Sequence, residues 1–386
     1  IGFLMHQPPH ALLELVENQM GKLLRIINDY QNPLKYADIH ADSIKIHVGF
    51  SGVLLEQLLH TEIVDACRKI IDIPLVLAEY RESKAVEIIG MGYSHPIFSL
   101  IPPEDWDSHI FLGKEMLMEV FGKEPKGFWL PGIGFCPEMI PVLRKYGYEY
   151  IVTDRLPSAI ENVCQRQDKT DLLGYAPVNV AYHNAEIGVV PIQKGFYLAG
   201  RKADSSQAED IPFQQGGQPG QRDSLLVIWT HIDKALERET HGSSEDSDFW
   251  NGIFSPYLEG LFQNEAEVRS VFLREYVRES RERPSIDVQD SCQSVHESLK
   301  SYRNKAVDEI WRLSFIYREL KSALIQKGDR CLHQPYLARL LEKAQRWLSW
   351  SESSCFFSQD PYWTAKLYDH AKPGFILLEE VRKKLL

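Results

Sequence analysis

Short apolar runs recur along the first 260 positions, and a longer polar-apolar stretch separates most of them. The runs are "IGFLMHQPP" at the start, "SIKIHVGFSG" at Ser43–Gly52, "AVEIIGMGYSHP" at Ala85–Pro96 and "KGFWLP" at Lys126–Pro131. "EYIVTD" ending at Asp154, "EIGVVPI" at Glu186–Ile192 and "SLLVIWTHID" at Ser224–Asp233 complete the series. A run apolar on both faces suits a strand covered on both sides. Between the runs lie stretches with helical spacing: Ala11 to Tyr30, the "VLLEQLL" after Gly52, Glu104 to Phe121, and a segment from Glu138. Strand, helix, strand at this spacing predicts parallel βα units, about seven of them. After Arg283-Pro284 the pattern changes to helix alone, in Glu297–Gln326, "YLARLLEKAQRWLSW" and "GFILLEEVRKKLL". No internal repeat is visible.

Composition narrows the function. Hydrophobic residues at 44% and charged residues at 25% are those of a soluble globular chain. A net charge of −11 argues against nucleic acid as partner. No apolar run reaches ~18 residues, so no membrane span is predicted. The opening "IGFLMHQPPH" is too short to be a signal peptide. The six cysteines form no CxxC pair, which speaks against a zinc cluster and fits a reduced cytoplasm. The motifs require no cofactor. The polar segment Ala203–Asp223, rich in Gly and Gln, reads as an exposed insertion, either a plain loop or a lid.

Polar groups gather at the predicted strand exits. They are His6-Gln7, Ser51, His95, Asp154, and His231 with Asp233. In a barrel of parallel strands all carboxyl ends open on one face, so these residues would converge. His6 and His10 are separated by two prolines and cannot form a helical metal pair. No other His/Cys/Asp set has metal-ligand spacing, so no metal is expected.

The motifs in order resemble glycoside hydrolase family 57, which includes α-amylases, 4-α-glucanotransferases and branching enzymes. "HQPPH" is similar to that family's first motif, "HVGFSGVLLEQL" to its second-strand segment, and "VEIIGMGYSHPIF" to its Gly-Tyr-x-His-Pro run. "GFWLPGIGFCPEMIPVLRKYGYEYIVTD" is the best match, and "LARLLEKAQRWLSWSESSCFFSQDPYW" resembles the helical segment. The resemblance implies an incomplete (β/α)7 TIM-like barrel over residues 1–280 with a C-terminal α-helical domain over 281–386. It implies α-glucan or another oligosaccharide as partner.

One position departs from the family. Its third motif reads Trp-x-Pro-Glu, and the Glu is the nucleophile; here that position is Gly132. Its fourth motif supplies an acid/base Asp, which falls on Ile232, Thr230 or His231 depending on register, with Asp233 beside them. A retaining glycosidase needs two carboxyls about 5–5.5 Å apart, an inverting one about 6.5–9.5 Å. Glycine has no side chain to attack with, and Glu138 lies in the following helix. The reading is therefore an α-glucan-binding or regulatory protein with impaired catalysis. The alternative is an active hydrolase or transferase with relocated carboxylates, Asp154 and Asp233. A third, a deacetylase, lacks its metal ligand set. His6, Gln7, His95, Trp129 and Trp229 are the expected sugar contacts, by hydroxyl hydrogen bonds and ring stacking. Trp347, Trp350 and Trp363 either complete the cleft or pack between domains.

Overall fold

The computed structural model describes residues 1–40, 43–130, 135–153, 177–192, 225, 227, 229–232, 249–263, 269–279, 285–288, 305–328, 334–357 and 361–385. The segment 203–223 falls outside these residues. In chain order the strands are β1 (Gly2–Met5), β2 (Ile46–Phe50), β3 (Val86–Ile89), β4 (Gly127–Leu130), β5 (Tyr150–Thr153), β6 (Val178–Tyr182), β7 (Ala185–Pro191), β8 (Trp229–His231) and β9 (Ser285–Asp287). The helices are α1 (Ala11–Asn18), α2 (Met20–Ile39), α3 (Gly52–Leu58), α4 (Thr61–Cys67), α5 (Ile73–Glu82), α6 (Pro103–Phe121), α7 (Ile140–Lys145), α8 (Ser255–Gln263), α9 (Leu273–Glu279), α10 (Lys305–Lys327), α11 (Gln334–Ser351) and α12 (Pro361–Leu385).

The protein is an α/β fold. Two sheets, β3-β2-β1-β8 and β4-β5-β7-β6-β9, meet where Gly90, just past β3, bridges to Phe128 in parallel. Gly90 N donates to Gly127 O and Trp129 N donates to Gly90 O, each at 2.8 Å. The row β8-β1-β2-β3-β4-β5-β7 is parallel at every step. β6 is the exception, antiparallel to β7, and β9 pairs with β6 in parallel.

Strand alternation sorts the apolar residues between two cores. Phe3, Met5, Val48 and Phe50 face outward onto α1–α5, and Phe128, Leu130 and Ile151 pack in a second outer core with residues of α6 and α7. Leu4, Ile89, Trp129, Val152, Val190 and Trp229 share an inner core. Trp129 of β4 and Trp229 of β8 stack in parallel, with ring centroids 5.3 Å apart. The row therefore curls until strands four places apart share one interior. α10, α11 and α12 pack on each other around Leu313, Leu337, Leu341 and Leu378.

Helix boundaries differ from expectation in three places. The stretch expected as one helix from Ala11 to Tyr30 is broken at Gln19, whose backbone is non-helical. α2 continues to Ile39 through Pro33, and α12 passes through Pro373. A proline costs a helix one N–H bond; the Pro33 ring is buried, which offsets part of that cost. β6 and β9 had no clear sequence signal. β6 and β7 form a hairpin turning at His183-Asn184, with His183 in the left-handed region (φ 51°), which matches the twist of tight hairpins.

Candidate functional site at the strand exits

Parallel pairing puts the carboxyl ends of β1, β2 and β3 on one side of the sheet. His6 follows β1, Ser51 follows β2, and His95 lies in the loop after β3. The His6 and His95 rings meet with centroids 4.7 Å apart. Both are almost fully buried, at 6% and 4% exposure. His6 Nδ1 bonds Ser51 Oγ at 2.8 Å, and its Nε2 bonds Ser353 Oγ at 3.1 Å. His95 Nδ1 bonds Ser354 Oγ at 2.9 Å, and Ser354 N donates to His95 O at 3.2 Å. Ser51 also caps α3, accepting from Leu54 N.

Burial pushes the His6 imidazole down to about 3. It is neutral at neutral pH, so one ring nitrogen donates and the other accepts. His95 sits at φ 57°, a left-handed conformation uncommon outside glycine, within a turn closed by His95 N donating to Gly92 O. Both rings already bond hydroxyls, His6 those of Ser51 and Ser353 and His95 that of Ser354, and His6 does so uncharged. That chemistry suits a neutral, hydroxyl-rich ligand.

The serines come from the far end of the chain. α11 ends at Ser351, the first residue of "SESS", Ser351–Ser354, and Ser351, Glu352 and Ser353 are fully buried. Glu352 Oε2 lies 2.6 Å from His109 Nε2 on α6. Asp105 lies beside it in the same seam, its Oδ2 accepting from Ser314 Oγ on α10 at 2.5 Å. α6 is clamped under the loop carrying His95: Tyr93 N donates to His109 O at 3.0 Å, and Gly113 packs against Met91 O. These groups escaped sequence reasoning. The only available signal was a run of four small or polar residues between two helices.

A second group flanks the first. His10, at φ 64°, meets Trp350 edge-on at 4.7 Å and His370 at 5.5 Å. Trp350 Nε1 donates to Tyr93 Oη at 3.2 Å, and Tyr93 bonds Glu56, which pairs with Arg346 at 2.8 Å. Gln7 Nε2 donates to Tyr30 Oη at 3.3 Å. Trp363 packs at the edge of the outer core near Phe356.

Trp129 and Trp229 lie elsewhere. They are 0% and 1% exposed inside the curled sheet, and the Trp229 ring fills the space over Gly2. Below them is a polar layer unnoticed in the sequence: His47 Nε2 is 3.4 Å from Glu87, whose Oε1 accepts from Tyr150 Oη at 3.0 Å. Ile232 packs in the outer core with Phe3 and Phe254, 3% exposed. Gly132, Asp154 and Asp233 lie outside the described residues, as do the side chains of Thr230 and His231. Among the described residues, no group of three or more His, Cys, Asp or Glu is placed to hold a metal ion, and no helix is long and apolar enough to cross a membrane.

Comparison with known proteins adds kinship to this geometry. The α-amylase of Pyrococcus abyssi is 28% identical over 159 residues, 40% of this chain but only 21% of that enzyme. The chain thus matches about a fifth of that relative's length. Among solved structures, the α-amylase AmyC from Thermotoga maritima superposes with a TM-score of 0.66 at 12% identity, covering 100% of this chain and 94% of that one. The branching enzyme of family GH57 from Thermococcus kodakaraensis gives 0.64 at 14% identity, covering 99% and 89%. At such identities the superpositions establish a common fold. The family model of glycosyl hydrolase family 57 matches residues 14–289, well over half of the sequence and including the strand exits that carry His95 and Ser51. A chain matched over that span, on that fold, belongs to glycosyl hydrolase family 57.

Proposed function

We propose that this protein binds α-glucan at the strand-exit face and is impaired in cleaving it. The observation that carries the reading is Gly132, which stands where the family resemblance calls for a nucleophilic Glu. Double displacement begins when a carboxylate attacks the anomeric carbon, and glycine offers nothing to attack with. Hydroxyl recognition depends on different groups, and the His6–His95 pair, bonded to serine hydroxyls in the structure, is of the right kind. The substrate class comes from the relatives, an α-amylase and a 4-α-glucanotransferase among them.

In this reading the seven parallel strands belong to an incomplete (β/α)7 barrel over residues 1–280. The self-packed helices α10–α12 belong to a C-terminal domain over 281–386. The protein acts in the cytoplasm on α-glucan or oligosaccharide, in a binding or regulatory role. His6, Gln7 and His95 make polar contacts. Trp129 and Trp229 would contribute only if the interior opens.

A second reading has one observation in its favour. Asp154 directly follows the last residue of β5, and Asp233 follows β8 by two positions. Two carboxylates so placed in sequence could form a relocated pair acting on an activated water.

The test is calorimetric titration with maltoheptaose beside a product assay on the same sugar. Binding without turnover is the expected result. Ordinary turnover, abolished by Asp154→Asn or Asp233→Asn, would establish the second reading. Neither binding nor turnover would mean that the fold has taken a different ligand.

A further inference from the structure

The turn at 352–354 faces two ways. Ser353 and Ser354 bond the site histidines, and Glu352, one position earlier, enters the seam between α6, α10 and α11. In that seam Asp105, His109 and Glu352 are 7%, 0% and 0% exposed. From α6, His109 faces Glu352 and Glu104 pairs with Arg318. From α10, Ser314 donates to Asp105, Arg318 acts on Glu352, and Tyr317 lies near Asp105. Two carboxyl groups in contact at this depth cannot both be charged. Desolvation opposes each charge and each opposes the other, so the contact holds while a proton is shared.

We propose that the Asp105–Glu352 pair is a proton-dependent clasp on the strand-exit site. While the pair keeps its proton, the turn stays seated, and Ser353 and Ser354 hold His6 and His95. When the proton leaves, two buried negative charges drive the seam apart and the serines withdraw. The histidines then lose the partners that fix their rings, and the ligand face loses its order. The effect on α-glucan rests on the function proposed above; the clasp itself does not.

The neighbours place the transition just above neutrality. Burial first, then the charge of Glu352, pushes Asp105 up to about 8, and burial likewise pushes Glu352 up to about 8. Burial pushes His109 down to about 4, so it is uncharged while Glu352 keeps its proton. Arg318 faces Glu352 but is already paired with Glu104.

The experiment follows amide hydrogen exchange of the segment 348–357 by mass spectrometry between pH 6 and 9.5, corrected for the intrinsic pH dependence. It uses the full chain, Glu352→Gln and Asp105→Asn. Each substitution keeps a hydrogen-bonding group of the same shape and removes one titration; the second serves if the first fails to fold. Wild-type protection should fall at least about tenfold between pH 7 and 9, the linkage of one pKa unit between seated and released turns. Both variants should fall less than the wild type, because each keeps only one buried carboxyl, and maltoheptaose affinity should follow the same courses. Wild-type protection that stays flat, or that falls in parallel with the variants, would overturn the clasp. A wild-type-specific fall in protection with no maltoheptaose binding at any pH would uphold the clasp and count against α-glucan as ligand.

Discussion

Ser353 reaches His6 across 347 positions of chain and bonds its Nε2 at 3.1 Å. The strand half of the protein thus does not complete this site alone, because one wall comes from the end of α11. Ser353→Ala should cost about 1–2 kcal/mol of stability, the usual loss when a buried hydrogen-bonding partner is removed. It should also weaken maltoheptaose binding more than Ser322→Ala, a control on the exposed side of α10. Urea unfolding and calorimetry give the two numbers.

Gly113→Ala tests the packing of α6 beneath the His95 loop. A Cβ at Gly113 would sit 2.2 Å from the backbone oxygen of Met91, which cannot turn aside as a flexible side chain can. Helix and loop must separate. A loss of about 1–3 kcal/mol is expected, the range for overpacking a tight core contact. His95 should shift with the loop, so sugar affinity should fall along with stability.

The buried histidines should cost the folded chain stability in acid. Burial holds His6 at about 3 and His109 at about 4 in the folded chain, against 6.5 for an ordinary imidazole. Below pH 6.5 the unfolded chain takes up protons that the folded chain refuses. The stability these groups confer is therefore fully present above pH 6.5 and is lost as pH falls toward 4. Asp105 and Glu352 act in the opposite sense: their contribution is fully present near pH 4 and is lost as pH rises to about 8, so it offsets the histidines between pH 4 and 6.5. His109→Gln isolates one group. The stability gap between wild type and variant should narrow by about 1.4 kcal/mol per pH unit below 6.5, as read from urea midpoints at pH 4 to 7.

The inner tryptophans predict a different pattern. Gly2→Ala would push a Cβ to 2.1 Å from the Trp229 ring, and Trp229→Ala would leave a void beside Trp129. Losing a buried Trp costs about 3–5 kcal/mol. Both variants should melt earlier in thermal scans, with Trp229→Ala the worse.

Ile232→Asp tests the register of the missing acid. The Ile232 side chain faces the outer core, so an aspartate there would be buried away from the exit face. The variant should unfold or lose several kcal/mol. Adding it to Gly132→Glu should give no turnover in the product assay.

Much of the frame could be read from the sequence, because a strand covered on both faces must be apolar throughout. Phe3-Leu4-Met5 and Tyr150-Ile151-Val152 are legible for that reason. The exits were legible too, since His6 and His95 stand where apolar runs stop. Partners were not. Ser353 and Glu352 belong to no periodic pattern, and nothing local distinguishes a buried "SESS" from a solvated turn. Trp129 and Trp229 were read as ligand platforms, but an aromatic in a strand looks the same whether it faces a sugar or another ring. Two helices run further than their patterns show: packing carries α2 on past Pro33, and α12 begins ahead of Pro373.

The pairing of β1 with β8 has a consequence for synthesis. β1 gains β2 within the first 50 residues, but its other neighbour, β8, begins at Trp229. At ~5–20 residues per second, β1 waits on the order of 10–40 s as an open edge while the chain between is made. An unpaired apolar edge can recruit a strand from another nascent chain. The interval before Trp229 emerges is when this protein is most exposed to misassembly, and a holding chaperone would act to most effect there.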